Sequence, residues 1–181
     1  MDEIEVHRPG TARPIAVATW VTTALMAAGQ LLAGPYDVAS TYAVLLGLLF
    51  VAALAWATMW RPRVELAPHG VVLRNPLRTV LVTWPALLEV DGRFGLRLRT
   101  GEGLWSAWAA APPAGRARRP GHPSEAAEAV ERRWAGVRDR GHLDAGQVEG
   151  RGADVRWEVA PVMVLGSLAA TTLAASVVSL L

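Results

Sequence analysis

The sequence predicts a membrane α plus soluble β protein: three transmembrane helices joined to a small antiparallel β-barrel or sandwich that one amphipathic helix caps. Three observations lead there. Apolar stretches from Ile15 to Gly34, Val38 to Trp60 and Val159 to Leu181 each approach the ~20 residues that cross a ~30 Å hydrocarbon core. Between the second and third, apolar and polar residues alternate in short runs broken by turn residues, which is the strand period. The basic residues cluster outside the apolar stretches, and all 18 are arginine. The chain therefore divides into an N-terminal segment (1–14), a transmembrane hairpin (15–60), a soluble domain with a C-terminal helix (61–140), a tether (141–158) and a third span (159–181). With 181 residues in all, a second soluble domain does not fit.

Composition narrows the function classes. Between Arg61 and Glu158 there are 16 Arg against 12 Asp plus Glu, an excess too small for a nucleic-acid-binding domain, so no nucleic-acid partner is expected. The chain has no cysteine, which excludes disulfides, thiolate metal sites and thiol nucleophiles. No Asp, Glu, His or Arg lies within the three apolar stretches, which argues against a proton relay or ion path. Gln30 is the strongly polar side chain deepest in a span and is read as lying near the outer headgroups or bonding a neighbouring helix. Small residues four apart, Gly166, Ala170 and Ala174 in the third span and Ala24 and Ala28 in the first, are read as packing positions among the spans or, alternatively, as a dimer interface.

Charge sets the expected topology. Arg8 and Arg13 precede the first span, Arg61 and Arg63 follow the second, and Arg151 and Arg156 precede the third, whereas the turn at Pro35, Tyr36 and Asp37 has no arginine. Basic residues near span ends stay on the cytoplasmic side. The expectation is a multi-pass plasma-membrane protein with its N-terminus and soluble domain in the cytoplasm and its C-terminus outside. Trp60 and Trp157 would mark the inner interface, and Tyr36 and Tyr42 the outer one. A cleaved signal peptide ending near Ala27, Ala28 and Gly29 is the competing reading. The acidic start at Asp2, Glu3 and Glu5, and the second span that follows at once, weigh against it.

Six strands follow the second span. Val64 and Leu66 alternate with Arg63 and Glu65, and Pro68, His69 and Gly70 make a turn; Val71 and Leu73 form the next strand, ended by Asn75 and Pro76. Val80 and Val82 form the third, ended by Pro85. The fourth, Leu88 to Val90, meets Asp91-Gly92, a dipeptide suited to a two-residue hairpin turn. In the fifth strand Phe94, Leu96 and Leu98 face one way and Arg93, Arg97 and Arg99 the other. Gly101 to Gly103 reads as a turn, and Leu104 to Trp108 as the sixth strand. Residues 109–121 read as a linker. Ser124 is placed to cap a helix whose first turns carry Glu125 and Glu128. Ala126, Val130, Trp134 and Val137 share one face of this helix, which packs on the sheet or, alternatively, turns Arg132, Arg133 and Arg138 towards the inner leaflet.

The stretch R-P-R-V-E-L-A-P-H-G-V-V-L-R-N-P-L-R-T-V-L-V-T-W-P, from Arg61 to Pro85, follows two spans and precedes an R-L-R strand and a Trp-rich strand. This order resembles the bacterial PH-like domains of actinobacterial membrane proteins, in the group named for low-molecular-weight protein antigen 6. Gly70, Val71, Arg74, Asn75, Pro76 and Trp84 carry the resemblance, over about 50 residues. It implies a PH-like fold, a partly opened β-barrel closed by a C-terminal helix, and a role in assembly without an implied activity. A complete barrel of this kind has seven strands. Glu3 to His7 alternates as a strand does, and pairing of this segment with the sheet edge would supply the seventh.

Chemistry is sparse. His7, His69, His122 and His142 lack metal-ligand spacing, Gly101-Glu102-Gly103 lacks the rest of a phosphate loop, and Ser106, Ser124 and Ser167 have no nucleophile-elbow context. Glu89 and Asp91 adjoin a turn without a suggested partner. No catalytic residue, cofactor or metal is expected. The candidate surface is the basic stripe Arg93, Arg97 and Arg99, which would meet anionic lipid headgroups or an acidic protein partner or else be a solvated strand face. Trp105 and Trp108 are read as core residues. The expected function is a non-catalytic, membrane-embedded module that binds protein partners at the cytoplasmic face. The alternative is an accessory subunit of a transport or envelope-synthesis complex.

Overall fold

The computed structural model describes residues 4–8, 10, 12–34, 37–93, 95–110, 124–139 and 152–179. It divides into a β-rich unit, Met1–Pro9 with Pro62–Trp157, and a helical unit, Gly10–Arg61 with Glu158–Leu181. Pro35, Tyr36, Phe94, the segment 111–123 and the segment 140–151 lie outside the described residues, and with them the expected facing of Phe94 and most of the linker and tether.

In the β-rich unit, β1 (Glu5–His7), β2 (Arg63–Ala67), β3 (Gly70–Arg74), β4 (Arg78–Thr83) and β8 (Ala153–Trp157) form one antiparallel sheet in the order β1-β2-β3-β4-β8; β5 (Leu87–Asp91), β6 (Leu96–Thr100) and β7 (Gly103–Ala107) form another. Strand alternation explains the core. Val64, Leu73, Val80 and Val155 stand opposite one another across four strands, as do Leu66, Val71, Val82 and Ala153 in the next row. The first three of each row are fully buried, together with Leu96 and Leu98 from the second sheet. The helix α3 (Glu125–Asp139) covers this core with Ala126, Ala127, Ala129 and Val130, while Trp134 and Val137 pack at its margin. Ser124 Oγ accepts from the Ala127 N–H at 3.2 Å, which caps the helix.

The expected barrel does not close. The segment 141–158, read as a tether, ends in β8, whose five residues pair along β4 from Arg78↔Trp157 to Val82↔Ala153. With that edge of β4 occupied, β5 pairs with β6 and not with β4 among the described residues, and the two sheets stay separate. The short alternation Ala153, Val155 between charged neighbours supplies the inward side of β8. Glu102, in the β6–β7 turn, accepts the Ala153 N–H at 3.0 Å and so links the two sheets. The β5–β6 connection also differs from a two-residue turn at Asp91-Gly92. Positive φ falls at Gly95 (99°), and the Asp91 carboxylate accepts the Arg93 N–H at 3.0 Å. Arg93 lies outside the strand. Ala109 and Ala110, placed in the linker from sequence, are buried in a 3-10 turn (Trp108–Ala110).

The helical unit consists of α1 (Ala12–Leu32), α2 (Val38–Ala55, continued by a π turn over Trp56–Trp60) and α4 (Val159–Val178). All three are long and apolar enough to cross a membrane. α2 packs against both α1 and α4. Asp37 caps α2 by accepting the Ser40 N–H at 3.1 Å, and Pro62, which cannot continue a helix, follows its end. The small-residue positions are not where these helices pack: Gly166, Ala170 and Ala174 are exposed on α4, and Ala24 and Ala28 on α1. The close approach of α2 and α4 falls at Gly47, beside the Thr172 side chain. At one end of the unit the Arg13 guanidinium lies 4.9 Å over the Trp60 ring, Trp60 meets Trp20 at 5.3 Å, and Arg61 pairs with Glu158 at 2.8 Å. The Trp20 indole N–H donates to the Ala52 carbonyl at 3.0 Å. The charged ends of all three helices therefore gather at the same end.

Candidate functional site

The basic stripe is not uniform. Arg97 and Arg99 lie on β6, whereas Arg93 lies in the turn before it. Arg93 Nε donates to Asp91 Oδ1 at 3.1 Å, and Arg99 Nη1 to Glu89 Oε2 at 3.4 Å. Hydrogen bonds from the Arg93 side chain and then its backbone N–H hold the Asp91 carboxyl below its ordinary range, against a small opposing effect of desolvation. Glu89 and Asp91 thus offset the cations of the stripe, Asp91 feeling the charge of Arg97 as well as that of Arg93. Such exposed pairs contribute little to stability, but they weaken the stripe as an anion-binding surface.

Arg97 stands opposite Asp91 across the β5–β6 pair. It lines a groove of about 450 Å³ together with Arg78, Asn75, Leu77, Trp108 and Trp157, and no carboxylate is among the lining residues. The groove opens between the two sheets, with walls from the β3–β4 turn and the end of β8 on one side and from β6, β7 and the turn after β7 on the other. Its frame is held by Asn75, which is 8 % exposed. The Asn75 N–H donates to the Arg78 carbonyl at 2.9 Å; its side-chain amide donates to the Ser106 carbonyl at 3.0 Å and accepts the Trp108 N–H at 2.7 Å. One side chain thus fixes the β3–β4 turn against the segment that carries Trp108. Trp108 is 56 % exposed and Trp157 65 %, with Leu77 at 38 %. Trp105, by contrast, packs at the margin of the core and donates to Thr100 Oγ1 at 3.0 Å. The core reading holds for Trp105 and fails for Trp108, because Trp105 and Ala107 are the inward residues of β7 and Trp108 follows with the opposite parity, at the start of the 3-10 turn.

Sequence reasoning missed Arg78 and Trp157 as groove residues. Alternation carried the signal: Arg78 shares the inward parity of Val80 and Val82, and Trp157 that of Ala153 and Val155. At the end of a strand, inward parity places a side chain at the mouth of the sandwich.

The end of the sheet that bears this groove is also where the spans attach. His7 lies beside Val64, Arg63 opposite Arg74, and Arg78 opposite Trp157. In sequence, residues 8–11 connect His7 to α1, Arg61 and Pro62 connect α2 to β2, and Glu158 alone separates Trp157 from α4.

A second groove lies between β5 and α3, lined by Leu88, Glu89, Glu131, Trp134, Arg138 and Asp139 among others. Its charges are mixed. The Trp134 indole nitrogen beside it is buried and has no hydrogen-bond partner among the described residues. Among the described residues no group of three His, Cys, Asp or Glu side chains is placed to hold a metal ion. Comparison with known proteins adds no identity: no family model, curated protein or solved structure matches the chain.

Proposed function

We propose that the chain is a non-catalytic, membrane-anchored binding module, in which three transmembrane helices present a PH-like domain at the cytoplasmic face for assembly with protein partners or anionic lipid headgroups. The observation that carries this reading is the attachment of β1, β2 and β8 to the three helices at one end of one sheet, through connections of a few residues. Such short connections keep the β-rich unit at the membrane surface, where tethering raises the effective concentration of even a weak binder. The arginines at the span ends favour the cytoplasmic side. A sandwich covered by one helix is compatible with a PH-like ancestry, and among the residues that carry the resemblance Gly70 and Trp84 have structural tasks in it.

The alternative, an accessory subunit of a transport or envelope-synthesis complex, draws support from the exposed small-residue positions Gly166, Ala170 and Ala174 on α4, which suit close helix–helix contact. Copurification of the full chain from native membranes, with Trp108→Ala and Gly166→Leu variants, tests both. The module reading expects partners to be lost with Trp108→Ala and kept with Gly166→Leu. The reverse outcome would favour the subunit, and recovery of no partner by the intact chain would count against a protein-binding role.

A further inference from the structure

We propose that the groove between the two sheets is a binding site for a small amphipathic carboxylate, one acid group on a flat apolar body, with the Arg78 guanidinium as its anchor. This goes beyond the module reading and does not depend on where the helices lie.

The observation that carries it is a pairing pattern with one exception. The other arginines on the strands are matched with carboxylates: Arg63 and Arg74 with Glu65, Arg99 with Glu89, Arg156 with Asp154, and Arg97 with Asp91 opposite it on β5. Arg78 on β4 has no such match among the described residues. Its neighbour on β8 is Trp157, and no carboxylate lines the groove. Arg78 is half-buried, so its unpaired guanidinium carries a desolvation cost that an incoming anion offsets. With Arg97 already balanced by Asp91, the groove holds one uncompensated positive charge. That suits a monoanion better than a phosphate dianion, and the guanidinium fork matches the two oxygens of a carboxylate. The remaining lining is mostly apolar, with Pro76, Leu77, Leu96, Ala107, Trp108 and Trp157. Trp108, Trp157 and Leu77 are exposed there, and indole rings offer a large face to a flat apolar body. The volume of about 450 Å³ falls in the range of small-molecule sites, which combine apolar walls with a few orienting polar groups. Asn75 keeps the two walls in register through its bonds to Ser106 and Trp108, so the site is framed before any ligand arrives. Those bonds also occupy the Asn75 amide and the Ser106 carbonyl, which leaves the backbone of a bound peptide with few partners and favours a small molecule.

The native chain has no cysteine, so protection of single cysteines from a maleimide reports occupancy in the full-length protein. Leu77→Cys reports the groove, and Leu104→Cys, exposed on β7 and lining neither groove, is the control. Both are reconstituted into phosphatidylcholine nanodiscs and labelled in the presence of 2-naphthoate or its uncharged isostere 2-naphthamide, with probe concentrations corrected for uptake by empty nanodiscs. The expected result is that 2-naphthoate slows labelling of Leu77→Cys and reaches half-protection at an about tenfold lower concentration than 2-naphthamide, as for one charge-assisted contact. Labelling of Leu104→Cys should not change. Adding Arg78→Gln is expected to abolish the preference for the acid, and adding Arg99→Gln to leave it intact. No protection of Leu77→Cys, equal protection by acid and amide, equal protection of Leu104→Cys, or a preference that survives Arg78→Gln would each overturn the proposal. The comparison of acid with amide needs no change at Arg78, so it decides the matter even if that variant fails to fold.

Discussion

At the residue scale, the side chains that look most motif-like have structural work. Gly70 begins β3, and a Cβ there would stand 2.2 Å from the Val82 carbonyl oxygen, so only glycine allows β3 and β4 to approach at this point. Trp84 is 2 % exposed and its indole N–H donates to the Ala67 and Pro68 carbonyls, each at 3.1 Å, tying down the β2–β3 turn. Trp84→Phe keeps most of the packing but leaves these carbonyls without that donor, and is expected to cost about 1–3 kcal/mol. A thermal melt of the purified chain checks this, and an unchanged midpoint would contradict it. Glu65 has an electrostatic task. Arg63 and Arg74 stand directly opposite each other on β2 and β3, a destabilising like-charge pair, and both donate to Glu65 Oε1, Arg74 at 2.9 Å. Burial pushes the Glu65 carboxyl up, but the hydrogen bonds and charges of the two arginines outweigh it and hold its pKa below the ordinary 4.5. Since the folded value is the lower one, the unfolded chain takes up the proton first as pH falls. The stabilisation is therefore present above the unfolded pKa and is lost as pH falls through the folded value. The melting difference between the native chain and Glu65→Gln should be largest at neutral pH and shrink in acid below that range. A difference that persists undiminished there would contradict the assignment.

At the element scale, what was legible in the sequence is what a single period encodes. The alternation of Val64 with Leu66, Val80 with Val82 and Leu96 with Leu98 shows directly in their burial, and the helical spacing of Ala126, Val130, Trp134 and Val137 faces the core. Elements set by partners are harder to read. β8 has only Ala153 and Val155 as inward residues, and its place depends on the free edge of β4 and on the Glu102 carboxylate, some 50 residues earlier in the chain. The Asp91 turn was misread because dipeptide preference is local, whereas the Asp91 side chain takes the Arg93 N–H and the positive φ falls at Gly95. The groove was half visible: Arg97 stood out as a charge on a strand, while Arg78 and Trp157 need the β4–β8 pairing to meet. If Glu102 anchors β8 as described, Glu102→Ala should speed hydrogen exchange at the Ala153 amide and leave the central strand β3 protected. Equal protection of Ala153 in both proteins would show that β8 holds to β4 without it.

At the scale of the whole molecule, two units with different solvents share one chain. The helical unit exposes apolar side chains such as Leu25, Leu49 and Leu173 over most of its length, which suits lipid. The β-rich unit instead keeps a conventional buried core. Sequence order interleaves them: a strand precedes the first helix, a sandwich follows the second, and the last strand runs into the third. Topology thus determines which compartment the groove samples. The central claim is that three helices cross the membrane and hold the β-rich unit on its cytoplasmic side. Single-cysteine labelling with a membrane-impermeant maleimide in intact cells tests it most directly, with Leu88→Cys on the β-rich unit and Val38→Cys at the start of α2, both exposed positions. The account predicts that Val38→Cys reacts in intact cells and Leu88→Cys reacts only after permeabilisation. Labelling of Leu88→Cys in intact cells would contradict it.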